Sequence, residues 1–150
     1  MPFAIVRNDI TKMQVDAIVN SANPRAIVGG GVDRAIHQAA GAELLAARKK
    51  IGNIATGTAA VTPAYRLHAR YVIHTVGPVW PDGSHGEREL LSRAYQNSLR
   101  LAAERDCSSI AFPLLSAGVF GCPSEIAIAA AVQASRDFLQ EHDMDLYLVV

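Results

Sequence analysis

Asn20, Asn23 and Asp33 are the side chains whose types and spacing point most directly to chemistry. An amide offers a hydrogen-bond donor and an acceptor at once, which suits the hydroxyl groups of a sugar. A carboxylate can orient a sugar hydroxyl or accept a proton from water. The asparagines lie three residues apart, and three consecutive glycines directly precede Val32 and Asp33. This group predicts a site for a polar ligand that contains a sugar.

A strand, a glycine-rich loop and a helix N-terminus are predicted to position these side chains. Residues 16–19 are dense in β-branched side chains and predict a central strand, and helical periodicity starts near Val32. A helix N-terminus has unpaired N–H groups and a partial positive charge, and glycine lets that backbone approach an anion closely. Val32 and Asp33 follow the glycines, so neither the P-loop lysine nor the dinucleotide fingerprint is present. The pattern predicts a phosphate site made of backbone N–H groups.

A second glycine-rich loop, residues 116–121, follows a predicted buried strand over residues 109–112. Ligands of open α/β sheets bind at the carboxyl ends of strands, so two such loops predict a diphosphate held from both sides. Ser116 does not fit a serine-hydrolase nucleophile, because the Gly-x-Ser-x-Gly pattern has Leu114 in its first position.

Structural interpretations of the same residues remain open at this point. Asn20 and Asn23 are of a type that often closes turns with its own side chain. An acid such as Asp33 is favoured in the first turn of any helix by the macrodipole. His37 and His74 are interpreted as core or interface histidines rather than as ligands.

Composition limits the possible classes of protein. The 150 residues fit one domain, and 14 basic residues balance 14 acidic ones, which argues against a nucleic-acid partner. Cys107 and Cys122 have neither metal-ligand spacing nor a disulfide-rich context, so a cytoplasmic location and no metal or other cofactor are predicted. No segment has the apolar length of a membrane helix.

Alternating helical and strand patterns predict one α/β domain, a three-layer α/β/α sandwich with a central mixed sheet. Strands are predicted over residues 3–7, 16–19, 57–63, 71–76, 109–112 and 146–150. Helices are predicted from about residue 32 to 40 and over residues 42–50, 87–105 and 126–139.

With both loops in view, the chain resembles a macrodomain, and most closely the MacroD-type branch, over essentially its whole length. The resemblance lies in Asn8-Asp9-Ile10-Thr11, Asn20-Ser21-Ala22-Asn23-Pro24, Gly29-Gly30-Gly31-Val32-Asp33, Ala35-Ile36-His37, Ala39-Ala40-Gly41, Tyr71 through Pro78 and Ser116-Ala117-Gly118-Val119-Phe120-Gly121. It implies binding of ADP-ribose, or of an ADP-ribosylated protein or O-acetyl-ADP-ribose. It also implies metal-free hydrolysis of the ADP-ribosyl ester by water. Two alternatives are a non-catalytic ADP-ribose reader and a phosphatase acting on ADP-ribose 1″-phosphate.

The resemblance also implies a role for each matching residue. Asp9 would accept from the adenine amino group, with the Ile10 backbone beside it. Asn23 and Asp33 would face the distal ribose as the catalytic residues, and Phe120 would pack against that sugar. The diphosphate would lie against Gly29, Gly30, Gly31 and Val32 of the first loop and Ser116, Ala117, Gly118, Val119 and Phe120 of the second.

The chain departs from the branch at four positions near these loops. Val28 and Arg34 stand where the branch usually has glycine, Ala117 where it has threonine, and Cys122 where it has an aromatic residue. Valine and arginine beside the glycines are expected to narrow the site or add positive charge to it. Residues 1–150 are expected to form a single macrodomain without the closing C-terminal helix usual in the family.

Overall fold

The computed structural model describes residues 2–150, which form six strands and four helices. Their bounds are β1 (Phe3–Val6), β2 (Ala17–Ser21), α1 (Gly31–Ala40), α2 (Ala42–Ile51), β3 (Ala59–Pro63), β4 (Tyr71–Thr75), α3 (Glu87–Glu104), β5 (Ser109–Phe112), α4 (Ser124–Leu139) and β6 (Asp145–Val149). A short 3₁₀ turn spans Ile10–Lys12. None of the described helices combines the length and the apolar character needed to cross a membrane.

The six strands form one mixed sheet in the order β1-β6-β5-β2-β4-β3. All neighbouring pairs are parallel except β3 and β4, which are antiparallel. The interior strands β2 and β4 are almost continuously buried, as parallel strands covered on both faces must be. This confirms the predicted mixed α/β sheet.

Two helices cover each face of the sheet, which confirms the three-layer sandwich. Successive side chains of a strand point to opposite faces. Ile18 and Val72 pack with Ile36 of α1, and Val19 and Ile73 pack with α3 and α4 on the other side. The start of α4 differs from the prediction, which placed it two residues later, at residue 126. The helix begins at Ser124, directly after Pro123 in the N-cap position, and Glu125 suits its first turn.

The connections that leave β2 and β5 run in opposite directions. From β2 the chain passes through α1 and α2 towards β3 and β4, whereas from β5 it passes through α4 towards β6 on the other side. The two strands are neighbours, so a crevice opens between their carboxyl ends. Open α/β sheets bind their ligands at such a switch point.

Candidate functional site

A cleft of about 330 Å³ lies at the carboxyl ends of β2 and β5. One wall is the first loop, defined as residues 22–30, with the start of α1, and the other is the second loop, defined as residues 113–123. The lining residues are Ser21, Ala22, Asn23, Gly29, Gly30, Gly31, Val32, Asp33, Leu114, Ser116, Gly118, Val119 and Phe120. The structure therefore brings most of the predicted site residues, from both loops, into one place.

Four predicted site residues do not line this cleft. Ala117 is half-buried within the second loop, and Asn20 is fully buried behind the first loop. Asp9 is exposed and accepts hydrogen bonds from the Thr11 backbone and hydroxyl, so it caps the 3₁₀ turn. Ile10 is buried beneath that turn. The contacts predicted for these residues with a ligand stay predictions.

Within the first loop, the backbone at Gly29 passes close to the Asn23 side chain. A Cβ atom at Gly29 would lie 2.5 Å from Asn23 Nδ2, so only glycine leaves the amide in its place. Gly31 has φ +60, a conformation that side chains disfavour, and it begins α1. The residues at this helix start, Gly30, Gly31 and Val32, line the cleft, and the first N–H groups of a helix have no partner within the helix.

Asp33 ties the first loop to the sheet. Its Oδ1 atom accepts from Asn20 Nδ2 at 2.7 Å and lies 3.3 Å from His37 Nε2, and its Oδ2 atom accepts from the Gly29 N–H at 2.7 Å. Burial of this carboxyl raises its pKa, but the hydrogen bonds from His37, Asn20 and Gly29 outweigh that effect and lower the pKa. Asp33 is therefore an ionised carboxylate at neutral pH.

His74 lies behind Asn20 on the neighbouring strand. The two are register partners of β2 and β4, and Asn20 Nδ2 is 3.2 Å from His74 Nδ1. The other ring nitrogen, Nε2, is 3.0 Å from Thr62 Oγ1. Burial lowers the pKa of His74 to about 3, and repulsion from Arg48 and His37 acts in the same direction. The interpretation of His74 as a satisfied core histidine is confirmed, and it is neutral at physiological pH.

Arg48 holds the first loop from α2. Its side chain is almost fully buried and donates to the carbonyl oxygens of Asn23, Pro24, Arg25 and Gly52. A guanidinium with five donors can satisfy several carbonyls of one tight loop. Arg48 therefore fixes the backbone beside Asn23.

Neutral groups hold the second loop. The buried Tyr95 hydroxyl donates to the Pro113 carbonyl and accepts from the Leu115 N–H, both at 2.8 Å. Burial raises the pKa of Tyr95, so the hydroxyl keeps its proton. The backbone N–H of Trp80 donates to the Phe120 carbonyl at 2.8 Å. These contacts come from α3 and from the segment before it.

Ser116 sits in a strained position of the second loop, with φ +64. Its hydroxyl is buried and has no hydrogen-bond partner within residues 2–150. A Cβ atom at Gly77 would collide with this hydroxyl, so Gly77 makes room for it. Buried polar groups are normally paired, so this hydroxyl is an exception among the described residues.

Asp82, His85 and Glu87 come together at the start of α3, an arrangement the sequence analysis did not predict. The Asp82 carboxylate accepts from Ser84 and contacts His85 Nδ1 at 2.9 Å. Glu87 accepts from the backbone N–H groups of Gly83 and His85. These hydrogen bonds stabilise the loop that leads into α3, which explains why the three side chains lie together. The lack of a metal cofactor stays a prediction.

Sequence reasoning missed Arg48, Tyr95 and Leu114. Arg48 precedes two lysines, and the run Arg-Lys-Lys looks like an ordinary solvated helix end. Tyr95 lies on the apolar side of α3, where an aromatic side chain suggests only packing. Leu114 had a usable signal, because it lies just beyond the carboxyl end of a buried strand.

Known proteins are similar to this chain in sequence. A family model described as Macro domain matches residues 19–131. A protein of Escherichia fergusonii named O-acetyl-ADP-ribose deacetylase is 51% identical over 142 residues, covering 92% of this chain and 80% of that protein. Other relatives at similar identity have names that state the domain alone.

Solved structures agree with the sequence matches. The Oceanobacillus iheyensis macrodomain with ADP superposes with a TM-score of 0.93 at 43% identity, covering 99% of this chain and 82% of that one. The Trypanosoma brucei macrodomain in complex with ADP-ribose superposes with a TM-score of 0.90 at 40% identity, covering 98% and 63%.

Proposed function

This chain belongs to the Macro domain family, and from that premise we propose that it binds ADP-ribose and hydrolyses ADP-ribosyl esters. The substrates are mono-ADP-ribose on acidic side chains, O-acetyl-ADP-ribose, or both. One observation carries the proposal. The cleft joins an ionised, buried carboxylate, Asp33, to backbone donors of two glycine-rich loops.

The two walls of the cleft suit the two halves of the ligand. The free N–H groups at the start of α1 and the glycines of both loops favour a diphosphate, which is an anion that needs close backbone approach. Val119 and Phe120 offer an apolar surface for a sugar ring. The name of the Escherichia fergusonii relative and the ligand of the Trypanosoma brucei structure support the same ligand class.

Asp33 and Asn23 are the proposed catalytic residues. Among the contacts of residues 2–150, Asp33 Oδ2 receives one N–H, so it keeps acceptor capacity for a ribose hydroxyl or a water molecule. The Asn23 amide lines the cleft and can orient the same sugar. Water adds to the ester, and the products are the free acid and ADP-ribose. A ligand phosphate is the alternative activator of this water.

A reader module without catalysis is the second candidate. The observation that favours it is the low pKa of Asp33, which results from bonds to Asn20, His37 and Gly29. A low pKa makes a weak general base, and a reader would need the same bonds to hold its first loop. The two candidates share the binding step and differ only in turnover.

The experiment is incubation of the protein with O-acetyl-ADP-ribose and, separately, with glutamate-linked mono-ADP-ribosylated protein, followed by detection of free ADP-ribose. Release of ADP-ribose from either ester supports the hydrolase. A rise in melting temperature with ADP-ribose but no release from either ester leaves the reader. Neither release nor a rise in melting temperature overturns both candidates.

A further inference from the structure

A line of buried hydrogen bonds runs from the edge strand β3 to the Asp33 carboxylate. It begins at the Pro63 carbonyl, which accepts from the Thr62 hydroxyl at 3.0 Å. It continues through His74, 3.0 Å from Thr62 on one side and 3.2 Å from Asn20 on the other. It ends at Asp33 Oδ1, 2.7 Å from Asn20 Nδ2. Thr62, His74, Asn20 and Asp33 are all buried.

Only one arrangement of protons satisfies this line. An ionised carboxylate accepts, so the Asn20 amide must turn its NH₂ group towards Asp33. The second hydrogen of that NH₂ group then points at His74 Nδ1, which must accept it. His74 therefore carries its proton on Nε2 and donates to Thr62, whose hydroxyl donates to Pro63. If His74 were protonated, its Nδ1 would also be a donor, and no hydrogen bond could form between it and the Asn20 NH₂ group.

The Asn20 amide depends on His74 for its orientation. Asn20 Oδ1 is buried and has no partner among the described residues, so bonds from Nδ2 alone hold the amide in place. Without the acceptor at His74, a single bond to Asp33 would remain. Asp33 Oδ2 in turn accepts from the Gly29 N–H, so the Asn20 bond at Oδ1 sets the angle of the carboxylate about that contact.

We propose that His74 is a positioning residue for the hydrolysis, which orients Asn20 and through it the Asp33 carboxylate without contacting the substrate. The inference rests on the proposed function, because a reader has no turnover to lose. His74 is remote from the ligand, since it does not line the cleft. Its effect should therefore fall on kcat rather than on KM.

Two variants at this position separate orientation from simple packing. In His74→Asn the amide oxygen takes nearly the place of Nδ1, so the acceptor for Asn20 is kept. In His74→Leu the volume is similar and the acceptor is lost. We expect His74→Leu to lower kcat about 10-fold to 100-fold, the scale of a small misplacement of a catalytic group. KM should stay within about 3-fold, and His74→Asn should recover most of kcat.

Equal kcat values for the two variants, or a change confined to KM, would overturn the inference. His74→Gln replaces His74→Leu if the latter does not fold, because glutamine places its polar end near Nε2 and leaves no acceptor for Asn20. Thr62→Val breaks the line one step further from Asp33 and should lower kcat by about 3-fold at most.

An NMR titration of the Asp33 carboxyl carbon tests the inference without turnover. With only the bond to Asp33 left, the Asn20 amide is free to turn and that bond should weaken, which should raise the Asp33 pKa in His74→Leu relative to both the wild type and His74→Asn. An unchanged pKa would overturn the inference even if the wild type hydrolyses both esters. If the wild type hydrolyses neither ester, the proposed function fails and the role in hydrolysis fails with it, while this titration still decides whether His74 orients Asn20 and Asp33.

Discussion

The two loops that line the cleft are held by different kinds of contact. The first loop is held by buried charged groups. Asp33 accepts from the Gly29 N–H, and Arg48 donates to the carbonyls of residues 23–25. The second loop is held by neutral donors, the Tyr95 hydroxyl and the backbone N–H of Trp80. Both loops end up rigidly placed against the same space.

The two loops therefore differ in whether the group that holds the loop is also proposed to act in catalysis. In the first loop the proposed catalytic carboxylate is also the structural tie, so a change there affects turnover and structure together. In the second loop the tie is a hydroxyl outside the cleft, so a change affects stability first. Removing one partner of a buried charge leaves the other uncompensated, which costs more than loss of a neutral bond.

Asp33→Ala should have the largest effect. We expect ester hydrolysis to fall by about 100-fold to 10,000-fold, the usual contribution of a positioned acid–base group. Steady-state release of ADP-ribose measures it, with Gln38→Ala as the control because Gln38 is exposed on α1 and does not line the cleft. Turnover within a few-fold of the wild type would remove Asp33 from the chemistry and leave it as a tie only.

Tyr95→Phe tests the second loop. The change leaves the Leu115 N–H and the Pro113 carbonyl without their buried partner, so we expect the free energy of unfolding to fall by about 3 kcal/mol. Denaturant unfolding measures it, and Tyr65→Phe, at an exposed tyrosine, is the control. A loss as small as in the control would mean that the hydroxyl does not hold this loop.

The network behind the first loop should make stability depend on pH. His74 has a pKa of about 3 in the folded protein and about 6.5 when exposed. Below pH 6.5 His74 therefore binds a proton in the unfolded chain but not in the folded protein. The free energy of unfolding is at its full value above that pH and falls towards pH 3. We expect a loss of about 2 to 3 kcal/mol between about pH 7.5 and pH 4.5.

Unfolding of the wild type and of His74→Asn at both pH values isolates this contribution. The variant has no imidazole at this position, so its loss over the same range should be smaller by the amount given above. The same loss in both proteins would contradict a neutral, buried His74.

A pair of glycine variants gives the smallest expected effect. In Gly29→Ala the new methyl group displaces the Asn23 amide, whereas at Gly118 there is nothing within 4 Å of the added carbon. The flexible Asn23 side chain can move aside, so we expect less than about 1 kcal/mol loss of stability for Gly29→Ala. Its turnover should fall about tenfold because Asn23 has moved. An equal loss of stability in Gly118→Ala would contradict this account, because the carbon added there meets no atom within 4 Å.

The sequence alone predicted the layers, the element order and both loops. Strand and helix periods are local properties, so the runs around Ile18, Val72 and Ile110 identified the buried strands before the structure did. The family resemblance then predicted which loop residues meet, and the cleft contains Asn23, Asp33 and Phe120 together.

The network behind the loops could not be predicted in this way. Asn20 and His74 meet because β2 and β4 are neighbours in a particular register, which residue spacing along the chain does not encode. Arg48 reaches its carbonyls across the loop from α2, although its neighbours suggest a solvated helix end. The cytoplasmic location and the lack of a nucleic-acid partner stay predictions.

The central claim is that both loops bind one ADP-ribose molecule between them. Backbone amide chemical shifts, followed while ADP-ribose is added to about 1 mM, test it most directly, because a micromolar site is saturated at that concentration. The account predicts that the largest changes fall together in residues 22–33 and 114–120. Changes confined to one loop, or no changes in either, would contradict it.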